Sequence, residues 1–138
     1  MSHRRKPFTA LALALGLSTA LIALPGATHH APDSVEGLPL LKDVAADAVQ
    51  IGPHVPNMRT HWAWTSDLSV GPIYCVIEGR VVCVEYMFTM KDLEAGTDWT
   101  TLKPGIETPP VSHIDMEFKA NGIGGNPVPL YQLHIYFA

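Results

Sequence analysis

The sequence predicts an α+β domain, with a small and mostly antiparallel sheet of four or five strands and two short helices. Two adjacent runs rich in β-branched and aromatic residues flank a short turn that contains glycine, which is typical of a β-hairpin. Two segments nearer the C terminus alternate apolar and polar residues with the period of a strand. Short stretches bounded by proline and glycine have helical spacing.

The composition restricts the class of protein. The chain has 138 residues, a formal net charge of −4, and nine lysine and arginine residues in total. This length suits one domain, and so few cations argue against electrostatic binding of nucleic acid. Two cysteines are too few for a four-thiolate zinc site or a disulfide-dense scaffold.

The N terminus has the layout of a secretory signal peptide. Basic residues at 4–6 precede an uncharged, mostly apolar run at 9–24, and small, helix-breaking residues follow. We expect a signal peptide at 1–28, a leader with a short helix at 29–52, and a single α+β domain at 53–138. The mature domain would be periplasmic or extracellular, acidic and free of the membrane; a retained anchor is the alternative.

The first helix is predicted at 39–49. Pro39 suits a first helical turn, and Leu41, Val44 and the alanines near them recur at helical spacing. The glycine and proline after residue 51 end this helix. A short strand is predicted next, at 61–65.

The hairpin has predicted strands at 73–77 and 81–88, around Gly79. Cys75 and Cys83 are equidistant from Gly79, so a register centred there places them opposite each other, within reach of a disulfide. An oxidising compartment after export favours that bond. Two buried, unbonded thiols are the alternative, and either arrangement gives the cysteines a structural role.

The second helix is predicted at 89–95. Thr89 suits the N-cap with Asp92 three residues on, and Gly96 suits the end of the helix. Residues 97–110 contain several prolines and are predicted to form a loop.

Two strands, 112–119 and 130–137, follow on either side of a glycine-rich turn. In the first, His113, Asp115 and Glu117 project from one face and apolar side chains from the other. Imidazole and carboxylate groups together suit zinc or another divalent cation. Six residues are candidate ligands for such an ion: His113, Asp115, Glu117, His134, His61 and Glu85. A solvated polar face is the alternative.

A second donor set combines imidazole with thioether groups, which favour copper. His54, Met58 and His61 lie close together in the sequence, and three methionines follow them: Met87, Met90 and Met116. Methionines that fill a core are the alternative.

Two further features are candidates for function. Glu85 lies in a strongly apolar strand, where burial would raise its pKa and give it an acid–base role; the alternative is an outward carboxylate that pairs with Arg59 or Arg80. Trp62 and Trp64 are candidates for a ligand groove, since their rings are apolar with a polar tip. Packing of these rings within the core is the alternative.

Five short motifs follow one another along residues 53–137: Pro56-Asn57-Met58-Arg59-Thr60-His61-Trp62, Gly71-Pro72-Ile73-Tyr74, Glu85-Tyr86-Met87-Phe88-Thr89, His113-Ile114-Asp115-Met116-Glu117 and His134-Ile135-Tyr136-Phe137. Their order resembles a small family of exported bacterial proteins classed as a domain of unknown function. The resemblance implies a fold and an export route, and no known activity. Members carry His and Asp where this chain has Leu130 and Gln132, so a site that uses those family residues would be incomplete here.

These observations together favour an exported, non-enzymatic binding or assembly module. Its partner would be a small ligand, another protein or a second copy of the chain, and no nucleic acid. The alternative is a divalent-metal-binding protein or a metal-dependent enzyme, with zinc or copper as its cofactor, that uses the His/Asp/Glu strand face.

Overall fold

The structure, a computed structural model, describes residues 32–53 and 59–138. In these ranges one sheet of six antiparallel strands forms in the order β1-β2-β3-β4-β6-β5. The strands are β1 Val49–Ile51, β2 Thr60–Ala63, β3 Ile73–Ile77, β4 Arg80–Thr89, β5 Val111–Lys119 and β6 Leu130–Phe137. The α-helices are α1 Leu41–Val44 and α2 Met90–Glu94, and one 3₁₀ turn covers Thr65–Asp67.

A mostly antiparallel sheet with two short helices is therefore confirmed, whereas the expected number of four or five strands is wrong. The predicted signal peptide at 1–28 lies outside the described residues, and so do His54 and Met58 of the copper set. No helix in the two described ranges is long and apolar enough to cross a bilayer.

The first helix is much shorter than the predicted 39–49. It ends at Val44, and residues from Val49 pair with β2 as the edge strand β1. The preceding segment is also tied to the hairpin, because Leu41 N–H donates to the Gly79 carbonyl and Val81 N–H donates to the Pro39 carbonyl, both at 2.9 Å. Sheet pairing thus satisfies backbone groups that the sequence pattern assigned to a helix.

The hairpin of β3 and β4 forms as predicted. Glu78 and Gly79 both have positive φ, of 51° and 76°, which matches the twist of a two-residue hairpin turn. Cys75 pairs with Cys83 across the two strands, their Cα atoms are 5.0 Å apart, and their sulfur atoms are joined as a disulfide. The predicted bond is therefore present in the structure.

The C-terminal half also follows the pattern closely. Thr89 caps α2, since its Oγ1 accepts a hydrogen bond of 3.1 Å from Asp92 N–H. β5 and β6 match their predicted ranges to within one residue, and β6 lies between β4 and β5. This insertion places the last described strand at the centre of the candidate site.

Burial in the C-terminal strands does not follow polarity, since apolar side chains on β5 are exposed and polar side chains on β6 are buried. Ile114, Met116 and Phe118 on β5 are 59%, 57% and 51% exposed, whereas Gln132 and His134 on the polar face of β6 are buried. The larger apolar cluster packs α1 and the loop at 97–106 against β3, β4 and part of β6, and it does not include the three β5 residues. The edge strand therefore carries an uncovered apolar surface.

Candidate functional site

All six candidate metal ligands lie on one face of the sheet. Glu85 pairs with His134, and His134 pairs with Asp115, so these three form one row across β4, β6 and β5. A second row runs from His61 through Cys75, Cys83 and Tyr136 to His113. Directly paired residues share a face, and Glu117 joins the same face opposite Gln132. We call this side of the sheet the polar face.

Three of the six lie together, because the imidazoles of His61 and His134 both approach one carboxylate oxygen of Glu85. Glu85 Oε2 lies 3.3 Å from His61 Nε2 and 3.4 Å from His134 Nε2. Glu85 and His134 are each 1% exposed, whereas His61 is 34% exposed. The second oxygen, Oε1, accepts a hydrogen bond of 2.6 Å from Gln132 Nε2.

The pKa of Glu85 is lowered, contrary to the expectation of a raised value. Burial alone would raise it, but the contacts with His134 and His61 outweigh burial and bring the pKa from 4.5 to about 2. The carboxylate is therefore ionised at neutral pH. Both imidazole contacts are longer than a charge-assisted hydrogen bond of about 2.7–2.9 Å, and Oε2 has no well-directed hydrogen bond from the described residues.

A cavity of about 230 Å³ adjoins this carboxylate. Its wall combines apolar and polar side chains: Ile51, Ile73, Ile123, Arg59, His61, Glu85 and Gln132. The Arg59 guanidinium is turned onto Tyr136, whose hydroxyl it contacts and whose ring centroid is 5.2 Å from its central carbon. The cavity therefore gives a small ligand or an ion access to His61 and brings it next to the buried Glu85.

The other three candidates take part in separate contacts. His113 Nε2 lies 3.7 Å from Asp115 Oδ2, and its ring stacks on Tyr136 with centroids 4.4 Å apart. Glu117 accepts a hydrogen bond of 2.5 Å from Lys119. The polar face thus divides into a buried group at Glu85 and a more exposed group along β5. A metal role for either group stays a prediction.

Cys75 is a possible metal donor to which the sequence analysis gave only a structural role, in a disulfide or as a buried thiol. In the described part of the chain, one group of His, Cys, Asp and Glu side chains has ligand atoms that all lie within 4.8 Å of one another, and it consists of His61, Cys75 and Glu85. This group could have been found only from the strand register, because His61 on β2 pairs directly with Cys75 on β3. His134 does not belong to this group, although it contacts Glu85.

Gln132 and Leu130 occupy the places where the family resemblance expects Asp and His. Gln132 points at Glu85 and donates to it, whereas Leu130 is fully buried in a small apolar cluster with Ala63, Ile73 and Met87. These two positions therefore support the Glu85 carboxylate and the packing beside it and offer no imidazole or carboxylate.

Trp62 and Trp64 pack against the larger apolar cluster, on the opposite side of the sheet from Glu85. Trp64 makes an edge-to-face contact with Tyr74, with centroids 5.5 Å apart. Neither tryptophan lines the cavity at Glu85. Their role in a ligand groove stays a prediction.

Comparison with known proteins gives the fold alone. No family model matches the chain, and no curated protein matches it. The crystal structure of a hypothetical protein from Thermus thermophilus is similar, with a TM-score of 0.54 and 18% sequence identity, over 64% of this chain and 79% of that one.

Proposed function

We propose that the protein is an exported, non-enzymatic binding protein whose ligand is a divalent transition-metal cation. The observation that carries the proposal is the buried, ionised oxygen Glu85 Oε2 between two imidazole nitrogens. A carboxylate and two neutral imidazoles form a common ligand set for zinc, and they also suit copper.

The distances are compatible with an ion as well as with direct pairing. Ligand atoms about 2.0–2.1 Å from a tetrahedral ion lie about 3.3–3.4 Å from one another. The two distances from Glu85 Oε2 to the imidazoles, 3.3 and 3.4 Å, have this length. The two imidazoles are farther apart, so an ion would draw His61 inward; this movement is feasible because His61 is the more exposed of the two.

The charges also support a cation. Glu85 is buried and ionised, and its Oε2 faces the nitrogens of two imidazoles, so a cation bound among them would have one anionic ligand and two neutral ones. Arg59 is a positive group on the cavity wall, and its contacts hold it at Tyr136. The fourth position of the ion would face the cavity and be filled by water or a small ligand.

The test is metal uptake by the mature, disulfide-bonded protein purified without chelator. Native mass spectrometry and calorimetry with Zn²⁺ and Cu²⁺ should show one ion per chain. Loss of even an outer-shell partner of a metal ligand costs about 10–100-fold in affinity, so His61→Ala should weaken binding at least about tenfold. Glu85→Gln, which keeps the shape of the side chain, should abolish binding.

His113→Ala is the matched control, because it removes an imidazole from the same face that contacts Asp115 rather than Glu85. It should bind as the wild type does. A folded, oxidised protein that takes up neither metal contradicts the proposal, and so does equal weakening by His61→Ala and His113→Ala.

A second candidate function is self-assembly, and the uncovered β5 residues Ile114, Met116 and Phe118 favour it. β5 is an edge strand, and an exposed apolar edge is an unusual surface for a monomer. Two copies related by a twofold axis would cover the same residues on each other. The mass in solution tests this candidate, and a monomer at all concentrations contradicts it.

A further inference from the structure

We propose that opening the Cys75–Cys83 disulfide creates a second state of the metal site, in which the Cys75 thiolate joins His61 and Glu85 and binds a thiophilic ion. The inference names a metal class and a redox control for the site, and it rests on the proposed function in so far as the two share His61 and Glu85. Cys75 is the donor that no oxidised form of the site can use.

The geometry that supports this state is the group of three donors within 4.8 Å of one another. Each donor lies on a different strand at the centre of the sheet, His61 on β2, Cys75 on β3 and Glu85 on β4. Because adjacent strands are hydrogen-bonded, the sheet fixes the backbone positions of the three residues, and only their side chains need to move to bring the donors together.

The remaining adjustment is small. A thiolate about 2.3 Å and an imidazole about 2.0–2.1 Å from a tetrahedral ion lie about 3.5–3.6 Å apart. The donor atoms now lie within 4.8 Å of one another, so the longest of these distances must shorten by about an ångström. His61 lies at the cavity and is part-exposed, so rotation of its side chain provides this movement.

The redox step is an ordinary thiol–disulfide exchange. A dithiol reductant gives two electrons and two protons to the disulfide, so that Cys75 and Cys83 become thiols and the reductant becomes a disulfide. An incoming cation then displaces the proton of the Cys75 thiol, and the sulfur binds as thiolate. A disulfide oxidant reverses the step: it takes two electrons from the two cysteines, is itself reduced to two thiols, and the Cys75–Cys83 bond forms again. The ion is then left with the weaker imidazole–carboxylate set.

The donor set decides which ions respond. A thiolate beside an imidazole favours Zn²⁺, Cd²⁺ or Cu(I) over hard cations such as Mg²⁺. Cys83 is not a member of the donor group, although it is as buried as Cys75. The inference is therefore specific to one of the two sulfur atoms.

Two single variants separate the sulfurs without any reductant. Cys83→Ser and Cys75→Ser both lack the disulfide, so the loss of the crosslink is common to them, and only Cys83→Ser keeps the sulfur beside His61 and Glu85. We expect Cys83→Ser to bind Zn²⁺ at least tenfold more tightly than Cys75→Ser. With Cd²⁺, Cys83→Ser alone should show a thiolate-to-metal charge-transfer band, and adding His61→Ala should weaken its binding. Equal affinities, or no charge-transfer band in Cys83→Ser, overturn the inference.

The wild-type chain provides a second measurement if either variant fails to fold. Reduced by a phosphine in the presence of Zn²⁺, it should bind zinc more tightly than the oxidised protein, and the affinity should fall back to that of the oxidised protein when a disulfide oxidant re-forms the bond; unchanged affinity overturns the inference. The oxidised protein alone tests the proposed function. If Cys83→Ser binds zinc and the oxidised wild type does not, only the proposed function fails. If the oxidised wild type binds zinc and Cys83→Ser binds it no more tightly than Cys75→Ser, only the thiolate state fails.

Discussion

Gln132 donates a hydrogen bond of 2.6 Å to Glu85 Oε1 and thereby gives the two oxygens of one buried carboxylate different surroundings. Oε1 is held by a neutral amide on β6, and Oε2 lies between two imidazoles. The orientation of the carboxylate is therefore set from a neighbouring strand.

Gln132→Ala should destabilise the protein through this hydrogen bond. A hydrogen bond to a charged group contributes about 1.5–3 kcal/mol, so we expect a loss of about 2 kcal/mol in the free energy of unfolding, measured by urea denaturation. Lys119→Ala, which removes a more exposed partner of Glu117, should cost less than about 1 kcal/mol. Equal losses of unfolding free energy in the two variants would show that the buried Gln132–Glu85 hydrogen bond stabilises the fold no more than the more exposed Lys119–Glu117 pair.

Acid should destabilise the wild type more than Glu85→Gln. Because the folded pKa of Glu85, about 2, lies below the unfolded value of 4.5, its contribution is present above pH 4.5 and is lost as the pH falls toward 2. The contribution at neutral pH is on the order of 3 kcal/mol. Unfolding free energies measured between pH 7 and pH 2.5 should fall more steeply for the wild type, and parallel profiles contradict this prediction.

Gly71→Ala should disturb the backbone beside Glu85. Gly71 has φ of 117°, and a Cβ atom there would lie 2.7 Å from the Glu85 carbonyl oxygen and 3.2 Å from the Tyr86 ring. Gly79→Ala is the matched control, since Gly79 also has positive φ but has no atom within 4 Å of the added Cβ. We expect the control to lose about 1–2 kcal/mol, the cost of a Cβ atom in the left-handed region, and Gly71→Ala to lose clearly more, both measured by thermal denaturation.

Met116→Glu should prevent self-association through β5. A charge in the middle of the uncovered residues would be buried in any interface that covers them, while the isolated fold should change in stability by less than about 0.5 kcal/mol. Sedimentation of the two proteins measures the effect. An assembly of unchanged mass in Met116→Glu means that another surface forms it.

Local signals in the sequence were sufficient for most elements. The hairpin around Gly79 and the capped helix after Thr89 depend on turn and cap residues only a few positions apart, and both form as predicted. The sequence does not predict β1, because the strand has only three residues and follows apolar residues at helical spacing. Only pairing with β2 makes them a strand.

Residue types in the sequence were enough to name His61, Glu85 and His134 as candidates, and not enough to give their arrangement. Strand alternation placed His134 on a polar face, but its contact with Glu85 depends on β6 pairing with β4, which no local pattern encodes. The same pairing buries Gln132 and His134 and leaves Ile114 exposed, so apolar character alone did not identify the buried side. The lowered pKa of Glu85 follows from neighbours that are distant in sequence.

The position of β6 between β4 and β5 has a consequence for how the chain acquires its structure. As the chain emerges with its N terminus first, β4 and β5 are both complete while the strand that joins them is still missing. Most of the sheet's long-range pairing, and the contact of Glu85 with His134, waits for residues 130–137. Pairing of distant segments is slow compared with local structure, so the nascent chain should stay open until late. Such a chain would suit the export that we propose, because an open chain can pass through a narrow translocation channel, and the site would then close on the far side.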